Sequence, residues 1–92
     1  MEVTSVRVHL CESTNSRTVG ISSIILDRQF LVDDVRIING SKGLFVAMPS
    51  KRVELEDGSY EYHDIVHPIN QECRDMIEKA VLDEYNKVKE GE

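Results

Sequence analysis

The chain has 92 residues, of which 40% are hydrophobic and 30% charged, and its formal net charge is −6. A chain of this length forms one small domain, residues 1–92, which buries only about two thirds of the surface exposed by its unfolded form. No stretch approaches the ~20 consecutive apolar residues of a membrane span, and no signal-peptide pattern opens the chain, so we expect a cytoplasmic protein. Cys11 and Cys73 lie far apart and form no Cys-x-x-Cys pair, which argues against a disulfide framework or a zinc site.

The acidic side chains are concentrated in the C-terminal part of the sequence. Seven basic and five acidic residues precede Val53, whereas four basic and twelve acidic residues follow it. Phosphate binding needs local positive potential, so the net charge argues against a nucleic-acid surface. The uneven distribution still permits one in the N-terminal part.

Alternating or β-branched apolar residues in the first half of the sequence predict four strands. These strands cover about residues 2–11, 18–26, 30–38 and 44–48. Asp33 and Asp34 interrupt the period of the third strand, as a β-bulge would. Phe30 and Phe45 lie in apolar runs and are predicted to belong to the core.

An adjacent Lys-Arg pair follows the fourth strand directly. Pro49 cannot donate a hydrogen bond to a sheet ladder and so belongs at a strand end. Lys51 and Arg52 are therefore predicted at the rim of a sheet, where basic side chains can contact phosphates. Lys42, in a turn between two glycines, can also contact a phosphate. The alternative is that the pair consists of solvated edge residues that prevent strand aggregation.

The Asp57-Gly58 pair is a strong hairpin signal. If these two residues form the turn, one face of the hairpin carries four apolar side chains. They are Val53, Leu55, Tyr60 and Tyr62. Because an isolated hairpin is marginally stable in water, this face must pack on the core or on a second subunit. We favour the second subunit, which makes these four residues a predicted dimer interface.

The C-terminal part predicts one helix, over residues 68–90. Asn70 is predicted to be the N-cap, Gly91 ends the pattern, and apolar residues recur at helical spacing from Cys73 to Val88. The fold class predicted is therefore α+β: an antiparallel β-sheet over residues 1–67, with a projecting β-hairpin, and one C-terminal α-helix packed on the sheet.

Candidate catalytic and metal-binding residues are scarce. His63 and His67 would lie ~13 Å apart on a strand, too far for one metal ion, and His67 is predicted to hydrogen-bond locally at the turn before the helix. No serine, cysteine or aspartate lies in a nucleophile motif, and no Gly-rich loop precedes a helix. We expect no enzymatic activity, metal, cofactor or small-molecule substrate.

Several segments resemble the stage V sporulation protein G family, a group of small bacterial regulators. The segments are Met1–Thr4, Leu26–Asp27, Val35–Gly40, Gly43–Arg52 and Asp64–Asn70, continued by Arg74, Ile77, Ala80–Leu82 and Glu84–Tyr85. The resemblance implies a dimer that binds DNA and possibly RNA and that influences sporulation, septum placement or gene expression. It also implies nucleic-acid contacts by the basic pair and the helix, at Lys51, Arg52, Arg74 and Lys79.

Two functions from different classes remain open at this point. The first is a dimeric nucleic-acid-binding regulator. The alternative is a protein-interaction module in division or sporulation control, which would use the apolar hairpin and the acidic helix without touching nucleic acid.

Overall fold

The computed structural model describes residues 1–11 and 17–91. In these ranges the chain forms six strands and one helix: β1 (Val3–Leu10), β2 (Thr18–Leu26), β3 (Phe30–Gly40), β4 (Gly43–Ala47), β5 (Ser50–Glu54), β6 (Tyr60–Asp64) and α1 (Gln71–Glu90). The strands form a four-stranded antiparallel sheet in the order β1-β2-β3-β4 and a separate β5-β6 hairpin. The predicted α+β class is confirmed. No helix in the described part of the chain combines the length and the apolar character needed to cross a bilayer.

The core lies between one face of the four-stranded sheet and α1. The buried apolar side chains of the sheet alternate along the strands, and the helix adds Ile77, Val81 and Tyr85. Gly20 on β2 makes room for this packing, since a Cβ there would lie 3.2 Å from the Ile37 Cδ1 and 3.5 Å from the Tyr85 Cδ2. α1 therefore packs close to the sheet, against β1, β2 and β4.

The predicted bulge in β3 is confirmed. Val32 and Val35 are both buried, although they lie three positions apart, and they pair with β2 residues that lie only two positions apart. The extra residue falls in the Asp33-Asp34 step, where Asp34 has a φ of 58° and its N–H donates to the Asp33 Oδ1 at 3.0 Å. Because strand side chains alternate with period 2, the bulge is what brings both valines to the core face.

The prediction that both phenylalanines belong to the core is wrong. Phe30 is 59% exposed and Phe45 is 44% exposed. Phe30 is the first residue of β3, next to the β2–β3 turn. Phe45 pairs with Ile38 on the sheet face away from α1, because its neighbour Val46 occupies the core face of β4.

Helix α1 begins at Gln71, three residues later than predicted. Asn70 has an extended backbone, and its Oδ1 accepts a hydrogen bond from the Cys73 N–H at 2.8 Å, which confirms the predicted N-cap. Gly91 caps the other end, where its N–H donates to the Lys87 carbonyl at 3.2 Å. The residues between β6 and Asn70 therefore form a connection rather than a first helical turn.

Candidate nucleic-acid interface

The β5-β6 hairpin, Ser50–Asp64, projects from the domain and is called the arm below. Pro49 is buried between β4 and β5, as predicted for a strand end, and its carbonyl accepts a hydrogen bond from the Ile65 N–H at 2.7 Å. Most arm residues are exposed, and only Ser50, Val53 and Leu55 are half-buried. A two-stranded ribbon with this little cover is marginal by itself, so further contacts are expected to hold it.

The turn of the arm differs from the predicted two-residue turn. The Leu55 N–H donates to the Ser59 carbonyl at 2.8 Å, and the Gly58 N–H donates to the Leu55 carbonyl at 3.0 Å. Gly58 has a φ of 87°, in the left-handed region that glycine tolerates. The loop therefore has three residues, a common alternative to the two-residue hairpin loop.

This one-residue change divides the predicted apolar face. Arg52 pairs with Tyr62, and Val53 pairs with Glu61. Directly opposite residues share a face, and successive residues alternate between faces. The tyrosines consequently lie on the face of Arg52, whereas the aliphatic residues lie on the other. The prediction of one face formed by Val53, Leu55, Tyr60 and Tyr62 is wrong.

The tyrosines and the arginine form an exposed row, called the aromatic face below: Arg52, Tyr60 and Tyr62. The Arg52 Cζ lies 4.3 Å from the centroid of the Tyr60 ring, in cation–π geometry. Tyr60 is 51% exposed and Tyr62 is 69% exposed. The two rings are two residues apart on one strand, or about 7 Å, so each can accept a separate base.

Lys51 lies on the opposite face of the arm, across from His63. The basic pair lies within β5 rather than after a strand, so the two side chains point in opposite directions. Neither residue forms an ion pair with any residue in the described ranges, and both are exposed. Each can therefore contact a phosphate, but not as the single patch at a sheet rim that the sequence predicted.

The other predicted contact residues occupy three different environments. Arg74 is half-buried and lines a shallow cleft with Met48 and Pro68, near the base of the arm. The Lys79 Nζ donates to the Asp83 Oδ2 at 2.8 Å, and this hydrogen bond raises the pKa of Lys79. Lys42 lies in the β3–β4 turn, separated from the arm by the length of β4, about 17 Å. Of these residues, only Arg74 lies near the arm.

The two histidines make separate contacts. The His67 Nδ1 lies 3.2 Å from the Pro68 carbonyl oxygen, which confirms the predicted local hydrogen bond, and the His63 Nε2 lies 3.0 Å from the Glu61 Oε2. Among the residues that the structure describes, no group of three or more His, Cys, Asp or Glu side chains is arranged to hold a metal ion.

The loop of the arm contains a carboxylate whose pKa the fold shifts. The Asp57 Oδ1 accepts hydrogen bonds from the Ser59 hydroxyl at 2.6 Å and from the Ser59 N–H at 3.0 Å, and these bonds lower the pKa of Asp57 below its ordinary 3.8. Because the folded-state pKa is depressed, the contribution to stability is present above pH 3.8 and disappears as the pH falls through the folded-state pKa.

We expect Ser59→Ala to raise the pKa of Asp57 toward its ordinary value, because the substitution removes the hydroxyl donor that lowers it most. NMR titration of the side-chain carboxyl carbon measures this pKa directly. Ser41→Ala, in the β3–β4 turn, is the matched control and should leave Asp57 unchanged. An unaltered titration in Ser59→Ala would contradict the hydrogen-bonded loop.

Known proteins resemble this chain over its full length. The family model SpoVG matches residues 1–87. The chain is 52% identical over 92 residues to "Putative septation protein SpoVG" of Oceanobacillus iheyensis, an alignment that covers all of this chain and 91% of that protein. It is 50% identical to the Bacillus subtilis protein of the same name, with 90% of that protein covered, and 51% identical to "Putative septation protein SpoVG 2" of Listeria monocytogenes, with 85% covered. The resemblance inferred from the sequence motifs is confirmed, and the chain belongs to the SpoVG family.

Proposed function

We propose that this protein is a dimeric, non-enzymatic regulator that binds nucleic acid in the cytoplasm and acts in septation or sporulation control. Family membership supports the role in septation and sporulation, since the relatives are named for septation. The observation that carries nucleic-acid binding is the exposed arm, with the aromatic face on one side and Lys51 on the other.

The aromatic face supports a specific mode of binding. Tyrosine rings and a guanidinium plane stack on bases, and arginine also binds phosphate with several N–H donors. Bases can reach such a face only where they are unstacked, which favours single-stranded RNA or DNA over an intact duplex. Lys51, on the opposite side, is suited to a backbone phosphate, and Arg74 can add a second backbone contact near the base of the arm.

The charge around the arm limits its affinity for nucleic acid. Glu54 and Asp64 share the face of Arg52, because they pair with Tyr60 and Ser50. These carboxylates reduce the positive potential that phosphates require. Two arms in a dimer would bind one strand with a higher effective concentration than one arm, so dimerisation compensates for weak contacts. This mode of binding requires no metal, cofactor or small-molecule substrate.

A protein-interaction module is the second candidate. It is favoured by the sheet face away from α1, where Ile21 is 41% exposed, Leu31 60% and Phe45 44%. These apolar side chains suit a protein partner. The same face also carries His9 and Arg36, which pair with Ile21 on either side. The two candidates differ in how they depend on salt.

The test is a fluorescence titration of labelled duplex DNA, single-stranded DNA and single-stranded RNA of one sequence, at about 50 and 200 mM salt. We expect binding that is tighter on the single strands and that weakens steeply with salt. The logarithm of the affinity should fall by about 0.7 per log unit of salt for each phosphate contacted on single strands, and by about 0.9 on duplex. Absence of binding at the lower salt concentration would reject the proposal in favour of the protein-interaction module.

A further inference from the structure

The most exposed aromatic ring of the protein has a free carboxylate beside it. Tyr62 is 69% exposed, and Asp64 follows two residues later on the same strand, so both side chains lie on the aromatic face, about 7 Å apart. The Asp64 carboxylate is exposed and forms neither a hydrogen bond nor an ion pair with any residue that the structure describes. A base stacked on Tyr62 can therefore extend toward an unoccupied acceptor group.

The position of Arg52 leaves both groups accessible. Long side chains in an antiparallel pair reach their diagonal neighbours, which for Arg52 are Tyr60 and Asp64. The guanidinium lies over the Tyr60 ring, with its Cζ 4.3 Å from the ring centroid, and forms no ion pair with the carboxylate. One side of the Tyr60 ring is consequently covered by the arginine, whereas Tyr62 and Asp64 remain open together.

Asp64 lies at the anchored end of the arm. It pairs with Ser50, and the N–H of the next residue, Ile65, donates to the carbonyl of the buried Pro49 at 2.7 Å. Glu54, the other carboxylate on this face, is the last residue of β5, next to the loop at the free end. Because a group that recognises a ligand must be held by a rigid backbone, Asp64 is better placed for recognition than Glu54.

A carboxylate beside a stacked base discriminates between the four bases. It offers two acceptor oxygens and no donor. On the Watson–Crick edge, guanine presents two adjacent donors, N1–H and the 2-amino group. Adenine and cytosine each present one donor beside an acceptor, and uracil or thymine presents one donor between two acceptors. Guanine is therefore the base that can donate to both carboxylate oxygens at once.

We propose that Asp64 selects guanine in single-stranded nucleic acid. The guanine base stacks on Tyr62, and its N1–H and 2-amino groups donate to the two oxygens of the Asp64 carboxylate. This inference rests on the proposed binding of single strands and specifies which base the arm prefers. It also gives a role to an acidic side chain on a face that contacts a polyanion. The repulsion of phosphates weakens binding of every sequence, whereas the paired hydrogen bonds form with guanine alone.

The test measures the affinity of the full-length protein for three single-stranded RNAs by fluorescence anisotropy at about 50 mM salt. Each RNA repeats the unit A-A-X, where X is guanosine, inosine or cytidine. The RNAs have equal length and charge, so contacts to phosphates contribute equally to all three affinities. Inosine differs from guanosine only in lacking the 2-amino group. We expect the wild type to bind the guanosine RNA about fivefold or more tightly than either of the other two.

The variants test whether Asp64 is the residue responsible. Asp64→Asn should bind the three RNAs with similar affinity, because the amide no longer offers two acceptor oxygens. Glu61→Gln is the matched control, since it removes a carboxylate from the opposite face of the same strand, and it should keep the preference for guanosine. Circular dichroism checks that each variant is folded, and Asp64→Ser replaces Asp64→Asn if the latter is not.

Each result of this experiment decides the inference. Equal affinity of the wild type for the three RNAs would overturn it and leave the proposed function intact, and so would a preference for guanosine that persists in folded Asp64→Asn. Loss of the preference in Glu54→Gln, with Asp64→Asn unchanged, would move base recognition to the free end of the arm. Absence of binding to all three RNAs would reject nucleic-acid binding itself, and the inference with it.

Discussion

Replacing Ile24 by alanine should lower the free energy of unfolding by about 2–5 kcal/mol. Ile24 is completely buried between the sheet and α1, so the substitution leaves a cavity that close-packed neighbours fill only in part. For a domain of this size, each kcal/mol shifts the thermal midpoint by roughly 4–8 °C, and we expect a decrease of at least about 8 °C. Thermal unfolding followed by circular dichroism measures it.

The matched control is Ile21→Ala, in the same strand. Ile21 is 41% exposed on the sheet face away from α1, so its truncation should cost less than about 1 kcal/mol. All proteins must be compared at one concentration, since the stability of a dimer depends on it. Equal losses of stability from the two substitutions would contradict the placement of the core on only one face of the sheet.

Features set by local chemistry can be predicted from the sequence. Asn70 and Gly91 act as caps through their own backbone conformation and hydrogen bonds, so their residue types predict both ends of α1 to within three residues. The bulge in β3 is predictable because the two adjacent carboxylates of Asp33 and Asp34 interrupt an otherwise regular apolar period. Each of these signals lies within a few residues of the structure that it specifies.

The register of the arm cannot be predicted from apolar alternation, because alternation fits both loop lengths. A two-residue and a three-residue loop differ by one position, and a shift of one position moves every side chain of a strand to the other face. The deciding groups are Gly58, which adopts a positive φ, and Asp57, which accepts two hydrogen bonds from Ser59. The Asp-Gly-Ser sequence carries this signal, which a search for two-residue turns misses.

The position of Phe45 depends on tertiary contacts. Every residue of the run Leu44–Met48 is apolar. The run therefore shows no alternation of apolar and polar residues that would indicate which face of the strand is buried. The helix decides, because it covers Val46 and Met48 and leaves Phe45 on the open side. The aromatic face depends on strand pairing in a similar way. A two-residue turn would place the tyrosines on the same face as Val53 and Leu55. The observed pairing of Arg52 with Tyr62 places the tyrosines on the face of the arginine instead.

Replacing both Lys51 and Arg52 by alanine should weaken nucleic-acid binding while leaving the fold intact. Exposed charges away from caps and the core usually change stability by less than about 0.5 kcal/mol. Removing each charge-assisted hydrogen bond to a phosphate should cost about 1.5–3 kcal/mol of binding free energy, so the double variant should bind at least about a hundredfold more weakly. Fluorescence anisotropy with duplex DNA, single-stranded DNA and single-stranded RNA provides the measurement.

The single variants should differ, because the two side chains lie on opposite faces of the arm. Lys51→Ala should reduce affinity equally for every nucleic-acid sequence. It should also make the slope of log affinity against log salt shallower, by about 0.9 on duplex DNA for each phosphate that the variant no longer binds. Arg52→Ala also removes the plane that lies over Tyr60, so the decrease in affinity should be larger on single strands, where bases can stack, than on duplex. The control is Lys87→Ala, near the far end of α1, which removes one charge remote from the arm. It should change neither the affinity for nucleic acid nor the salt dependence of that affinity.

If the folded double variant keeps the affinity and the salt slope of the wild type, the pair serves to protect the strand edges from aggregation, and nucleic-acid contacts must be sought at Arg74 and Lys79.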